Sequence, residues 1–175
     1  MAQLFREKGV TENAEALGLN AAQLFRISSI EYIRLYPDVP EALAMLREKG
    51  YRLWLLSNAQ RVFTAFELNL LGLGSQLDGI YLSSDYGCRK PDGRFFRALL
   101  EERKLDPENC LMIGNDLETD IAGAKRAGLA TLYMHTNLTP PDQREADPDK
   151  AVGSGRHMEF EGSDWSILGR LLRDL

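Results

Sequence analysis

The sequence predicts a doubly wound α/β fold: a parallel sheet with helices on both faces, preceded by a short helical segment. Three observations carry this. From residue 40 onward, short apolar runs alternate with longer stretches of helical periodicity, the pattern of strands joined by crossover helices. The apolar cores of "YRLWLLSNAQ", "GIYLSS", "CLMIG" and "ATLYMH" are too short for helices and suit strands buried in a sheet. Glycines such as Gly50 and Gly128 close the helical stretches between them, as residues past a helix C-terminus do. The division is a helical segment over residues 1–36 and a Rossmann-like α/β core over residues 37–175.

In chain order, residues 1–36 read as helical. Thr11 and Asn20 are the expected N-caps, and Leu24, Ile27, Ile30 or Glu31, and Ile33 recur at helical spacing. The two prolines of "YPDVP" break that helix. "EALAMLREKG" is a short amphipathic helix. The first strand, centred on Leu53 to Leu56, is followed by a helix over residues 60–71. "GIYLSS" is the second strand. "KPDGRFFRALLEERKL" is a helix with Pro91 near its first turn. "CLMIG" is the third strand, "LETDIAGAKRAG" a helix, and "ATLYMH" the fourth strand. Residues 136–156 are polar and rich in Pro, Asp and Gly, a long surface loop. "RHMEF" is a short strand, and "SDWSILGRLLRDL" a capped helix with Ile167, Leu168, Leu171 and Leu172 on its apolar face.

Composition narrows the function classes. A chain of 175 residues, 44% hydrophobic and 27% charged, suits one globular domain with a small appendage. A net charge of −5 gives no general attraction to nucleic acid or anionic lipid, so neither is an expected partner. Cys88 and Cys110 lack metal-ligand spacing and read as thiols in a reducing compartment. The sequence has no membrane-length apolar run and no signal-peptide core, so the expected location is the cytoplasm.

In open α/β sheets, ligands sit beyond the carboxyl ends of the strands. Ser57 and Asn58 follow the first strand, Lys90 the second, and Asp116 and Asp120 the third. Each has an ordinary reading. Acids at a helix start complement its dipole, Ser-Asn suits a turn, and Lys90 suits a solvated loop. Each also has a functional reading. Asp116 and Asp120 supply hard oxygens for Mg2+, Ser57 and Asn58 hold phosphate oxygens, and Lys90 neutralises a phosphate. A hydroxyl, a fixed cation and paired carboxylates on one rim are what phosphoryl transfer requires. His135, at the end of the fourth strand, reads as a hydrogen-bonded loop histidine.

"LWLLSN", "SSDYGCRKPDGRFF" and "MIGNDLETDIAGAKRAG", in this order, resemble the second, third and fourth motifs of the haloacid dehalogenase-like (HAD) hydrolase superfamily. The resemblance covers about residues 35 to 135. It implies a Mg2+-dependent phosphatase acting on a small phosphorylated metabolite, with a haloacid dehalogenase as a further alternative. Lys90 would neutralise charge at the phosphate and nucleophile, Ser57, Asn58 and Lys90 would bind substrate, and Asp116 and Asp120 would hold the metal. Asn115 stands beside Asp116 where many members carry the acid.

The family's first motif, Asp-x-Asp-x-Thr/Val after the first strand, supplies the nucleophile and the general acid and base. No such segment precedes residue 57. The "ADPDK" at Asp147 to Lys150 lies in a polar loop and does not fit the role. The chain therefore reads as a member entered midway, truncated or inactive, with residues 1–35 the tail of a helical cap. It is expected to turn over very little alone. The alternative is a non-catalytic phosphate- and Mg2+-binding or protein-interaction module. The resemblance places the absent strand between the strands ending at Ser57 and Gly114. Its loss would leave two edges needing direct pairing, an N-terminal segment, or a homodimer or partner chain to cover them.

Overall fold

A computed structural model describes residues 1–140 and 156–168 of the chain. Its elements are α1 (Ala2–Glu7), α2 (Ala14–Ser29), α3 (Val39–Glu48), β1 (Trp54–Ser57), α4 (Arg61–Leu70), β2 (Gly79–Leu82), α5 (Ser83–Tyr86), α6 (Gly93–Arg103), β3 (Leu111–Gly114), a wide π-turn segment (Leu117–Ala122), α7 (Gly123–Arg126), β4 (Ala130–His135) and β5 (His157–Glu161). Single 3-10 turns lie at Gly74–Gln76, Pro107–Asn109 and Trp165–Ile167. The "ADPDK" segment, Leu171 and Leu172 lie outside the described residues.

Every strand pair is parallel, as the alternation predicts, and helices cover both faces. On one face, Ala42 and Leu46 of α3 pack with Leu132 and Met134 of β4 and with Leu168. On the other, Phe95, Phe96 and Leu99 of α6 pack with Leu56, Tyr81 and Ala124. The spacing of Phe95, Phe96, Leu99 and Leu100 sets one side of α6 inward, and all four are buried. Asp92 starts α6 by accepting a hydrogen bond from the Arg94 N–H at 2.8 Å. Pro91 therefore precedes the helix and is not in its first turn.

Gly50 ends α3 as predicted. At φ +87° it lets its own N–H reach the Arg47 carbonyl at 2.9 Å while the Tyr51 N–H reaches Leu46 at 3.0 Å. That double closure needs a left-handed residue, which glycine adopts without steric cost.

The sheet is broken. Among the described residues β1 pairs only with β2, and β3, β4 and β5 form a separate three-stranded sheet in that order. β4, flanked on both sides, is buried from Thr131 to Met134, whereas β3, with one neighbour, is half-buried along its whole length. β1 and β3 do not pair with each other, and among the described residues no strand precedes β1. Two of the three routes for covering the edges are therefore not taken.

The N-terminal segment differs from a continuous helical reading. Residues 30–36 are irregular, because α2 ends at Ser29. Tyr36 precedes Pro37, which disfavours helical backbone at Tyr36, and its hydroxyl donates to Asn137 Oδ1 at 2.9 Å. Neither expected cap is used. Asn13 precedes α2 with left-handed backbone, and Asn20 lies inside the helix. The uninterrupted run from Ala14, with Ala14, Gly18 and Ala22 buried on one side, overrides the local capping signal at Asn20. Among the described residues, no helix is long and apolar enough to cross a membrane.

Candidate functional site

The strand ends bring the predicted residues together through a chain of contacts. Lys90 Nζ lies 2.7 Å from Asp120 Oδ1, and the two side chains are only 9% and 10% exposed. A buried ammonium and carboxylate tolerate burial because each neutralises the other. The backbone of Lys90 is in turn clasped by Asn58, next to Ser57. Asn58 Oδ1 accepts from the Lys90 N–H at 2.8 Å, and Asn58 Nδ2 donates to the Lys90 carbonyl at 2.9 Å.

The acidic pair is held by the start of the π-turn segment. Asp116 Oδ1 accepts from the N–H groups of Glu118 at 3.0 Å and Thr119 at 2.8 Å. Asp116 is thus the N-cap, its ordinary role, as well as a candidate ligand. Asp120 does not simply sit one helical turn above it. The N–H groups of Asp120 and Ile121 both reach the Asp116 carbonyl, at 3.0 and 3.2 Å, which widens the first turn. Asp120 Oδ2 then folds back to accept from Asn115 and Asp116 N–H at 3.2 and 3.3 Å. Gly114 makes room for this: a Cβ there would overlap Asp120 Oδ2 and lie 2.6 Å from its Cγ.

Asn115 turns away from Lys90's partner and donates to Thr136 Oγ1 at 3.4 Å. Thr136 also accepts from the Leu138 N–H at 3.2 Å, ordering the turn after β4. Ser57 is half-buried at the end of β1. Beyond it α4 begins, where the Arg61 N–H donates to Ser84 Oγ at 3.0 Å. A surface groove lined by Pro40, Glu41, Ala44, Arg47, Ser75 and Gln76 shares no residue with this rim.

The donor set fits Mg2+ only in part. Asp116 and Asp120 offer hard carboxylate oxygens, but Asp120 is paired with Lys90. Among the described residues no group of three His, Cys, Asp or Glu side chains could hold a metal ion.

His135 makes its contacts with β5 and not with the lysine. Its Nε2 lies 3.1 Å from Glu159 Oε2, while His157 Nε2 lies 3.0 Å from Glu159 Oε1. This shared carboxylate is not legible in the sequence, because it depends on the parallel register that sets Tyr133 opposite Glu159. Burial pushes the Glu159 carboxyl up, but the hydrogen bonds and charge of the two imidazoles outweigh it, leaving the group below its ordinary value. Glu159 therefore stabilises the fold above the unfolded-state pKa and loses that contribution as pH falls through its lower folded pKa. As pH falls below the ordinary carboxylate range, the protection of the β5 amides against hydrogen exchange, corrected for the intrinsic slowing of exchange in acid, is expected to fall. Glu159→Gln should flatten that dependence; an unchanged profile in the variant would assign it to other groups.

Comparison with known proteins shows the family. The family pattern for haloacid dehalogenase-like hydrolases matches residues 2–128. A glyceraldehyde 3-phosphate phosphatase of Methanothermobacter thermautotrophicus is 31% identical over 136 residues, covering 78% of this chain and 55% of the relative. A phosphoserine phosphatase of Thermus thermophilus is 32% identical over 160 residues, covering 88% of this chain and 64% of the relative. The chain thus spans roughly half to two-thirds of these relatives' length. The crystal structure of a HAD phosphatase from Thermococcus onnurineus shares the fold, with TM-score 0.64 and 20% identity over 97% of this chain and 85% of that one. With the motifs in order and their residues joined at one rim, the chain belongs to the haloacid dehalogenase-like hydrolases.

Proposed function

We propose that this chain carries the charge-stabilising part of a phosphatase-type hydrolase acting on a small phosphorylated metabolite in the cytoplasm. The observation that carries it is the buried Lys90–Asp120 pair at 2.7 Å, at the strand ends where this fold class binds ligands. A phosphate oxygen reaching Lys90 would gain a fixed cation in a water-poor setting, where its attraction is much larger than in solvent. Ser57 would donate its hydroxyl to a second oxygen. Mg2+, when bound, would supply further counter-charge. Asp116 is the residue to hold it, and with so partial a ligand set its binding to this chain would be weak. The named phosphatase relatives favour a phosphate ester over a haloacid.

Turnover through a covalent intermediate needs a nucleophilic carboxylate beside Lys90. In this sequence the acids before residue 57 are Glu7, Glu12, Glu15, Glu31, Asp38, Glu41 and Glu48, none of them after an apolar strand. The open edges of β1 and β3 are where a further parallel strand could dock and deliver one. Assayed alone with Mg2+ and a generic phosphate ester, the chain is expected to hydrolyse at background rate. Robust turnover, abolished by changes at Lys90 or Asp116 but by none of these upstream acids, would mean that the nucleophile lies elsewhere in this chain.

A second reading is favoured by one observation. Asp120 already has Lys90 and two backbone N–H groups as partners. A rim so satisfied suits a module that binds phosphate without turning it over. Saturable phosphate binding with no turnover, even when a first-motif peptide is added, would select it.

A further inference from the structure

Asn58, beside the hydroxyl of Ser57, reads from sequence as a substrate-binding amide. Its geometry points elsewhere. The turn Arg89–Asp92 is closed by the Asp92 N–H donating to the Arg89 carbonyl at 2.9 Å. Pro91 has no N–H. The groups of this turn left to be satisfied at Lys90 are its own N–H and C=O, and Asn58 takes both, at 2.8 and 2.9 Å. A primary amide carries an acceptor and a donor side by side, the complement of one residue's peptide groups. Of the side chains of this length, aspartate cannot donate to the carbonyl, and leucine can do neither.

Lys90 has four rotatable bonds between its backbone and its ammonium, so its position depends on where the backbone is held. The clasp fixes that backbone to the end of β1, and the ammonium then reaches Asp120 in the turn that follows β3 of the other sheet. Polar contacts thus run from β1 through Asn58 and Lys90 to Asp120, across a sheet whose strands do not pair there.

We propose that Asn58 is a positioning residue for Lys90 and does not itself touch the phosphate. This rests on the proposed function for the identity of the ligand, but not for the clasp itself.

The test combines amide hydrogen exchange at Lys90, read by NMR, with calorimetric titration of inorganic phosphate, in the wild-type chain, Asn58→Ala and the near-isosteric Asn58→Leu. The expected result is an exchange rate at Lys90 raised at least about tenfold in both variants, with Leu55 and Tyr81 amides unchanged, and phosphate affinity reduced in parallel by about tenfold. A tenfold loss corresponds to removing interactions of the size of one or two hydrogen bonds. Asn58→Gln, which keeps both groups on a longer stem, should recover part of each effect. Unchanged exchange at Lys90 would overturn the proposal, and so would lost phosphate affinity without faster exchange, which would mean that Asn58 contacts the anion directly. If the wild-type chain binds no phosphate, the functional reading fails while the exchange measurement still decides the clasp. If Asn58→Ala does not fold, Asn58→Leu decides the same question.

Discussion

Lys90→Met is expected to lower the unfolding free energy by about 3–5 kcal/mol, the cost of leaving one member of a buried ion pair uncompensated. Asp120 lies against Lys90 at 2.7 Å with both side chains about nine-tenths buried. Methionine fills much of the space of the lysine stem, so the loss reports charge more than packing. Urea denaturation measures it as a shift of midpoint at constant slope. Lys90→Met combined with Asp120→Leu should recover part of the loss, since no lone charge remains. Full recovery is not expected, because the N–H groups of Asn115 and Asp116 lose their acceptor. A single-variant cost below about 1 kcal/mol, typical of exposed pairs, would show that water reaches this pair.

The second large effect is expected from the smallest change. Gly114→Ala places a methyl group in overlap with both Cβ and Oδ2 of Asp120 and 2.6 Å from its Cγ. The contacted Cβ is anchored to the π-turn backbone, so a rotamer change cannot relieve the overlap. Either β3 or that turn must shift. Overpacking of this kind costs about 1–3 kcal/mol and sometimes more. Here the shift also pulls Asp120 from Lys90, adding part of the buried-pair cost. Thermal unfolding should show the loss, and the phosphate affinity of Gly114→Ala should fall with it. Stability and affinity both at wild-type level would mean that Asp120 has another place to go.

How far the sequence speaks depends on the range of each interaction. β4 is legible to the residue as "ATLYMH", because burial on both faces favours a short, mostly apolar run. The helix ends at Gly50 and Gly128 are legible because left-handed backbone selects glycine locally. The start of α2 is not legible. Asn20 carries the same capping chemistry as Asn13, and only the packing of Ala14, Gly18 and Ala22 decides between them. Residues 30–36 keep a helical spacing of isoleucines, yet Pro37 and the bond from Tyr36 to Asn137 draw them out of the helix.

At the site, strand order alone places Lys90 near the acids, since residues after parallel strands share one rim. Their direct pairing is not legible, because it depends on the wide turn that folds Asp120 back over Gly114. Asn58 is visible as a polar residue after a strand, but its partner lies 32 residues on and is a backbone group, which leaves no mark on side-chain identity. The break between β1 and β3 is foreshadowed by the missing first motif, an absence that points to a specific place in the sheet.

Ser57, Lys90 and the turn at Asp116 and Asp120 form one anion-binding rim in this reading, although their strands belong to two separate sheets. NMR titration of the whole chain with inorganic phosphate probes that rim without relying on turnover. Saturable shifts are expected at the amides of Ser57, Lys90, Asp116 and Asp120, and they should vanish in Lys90→Met. Shifts that fail to saturate, or that gather around Ala44 and Gln76 while the strand ends stay silent, would rule the rim out as the binding site.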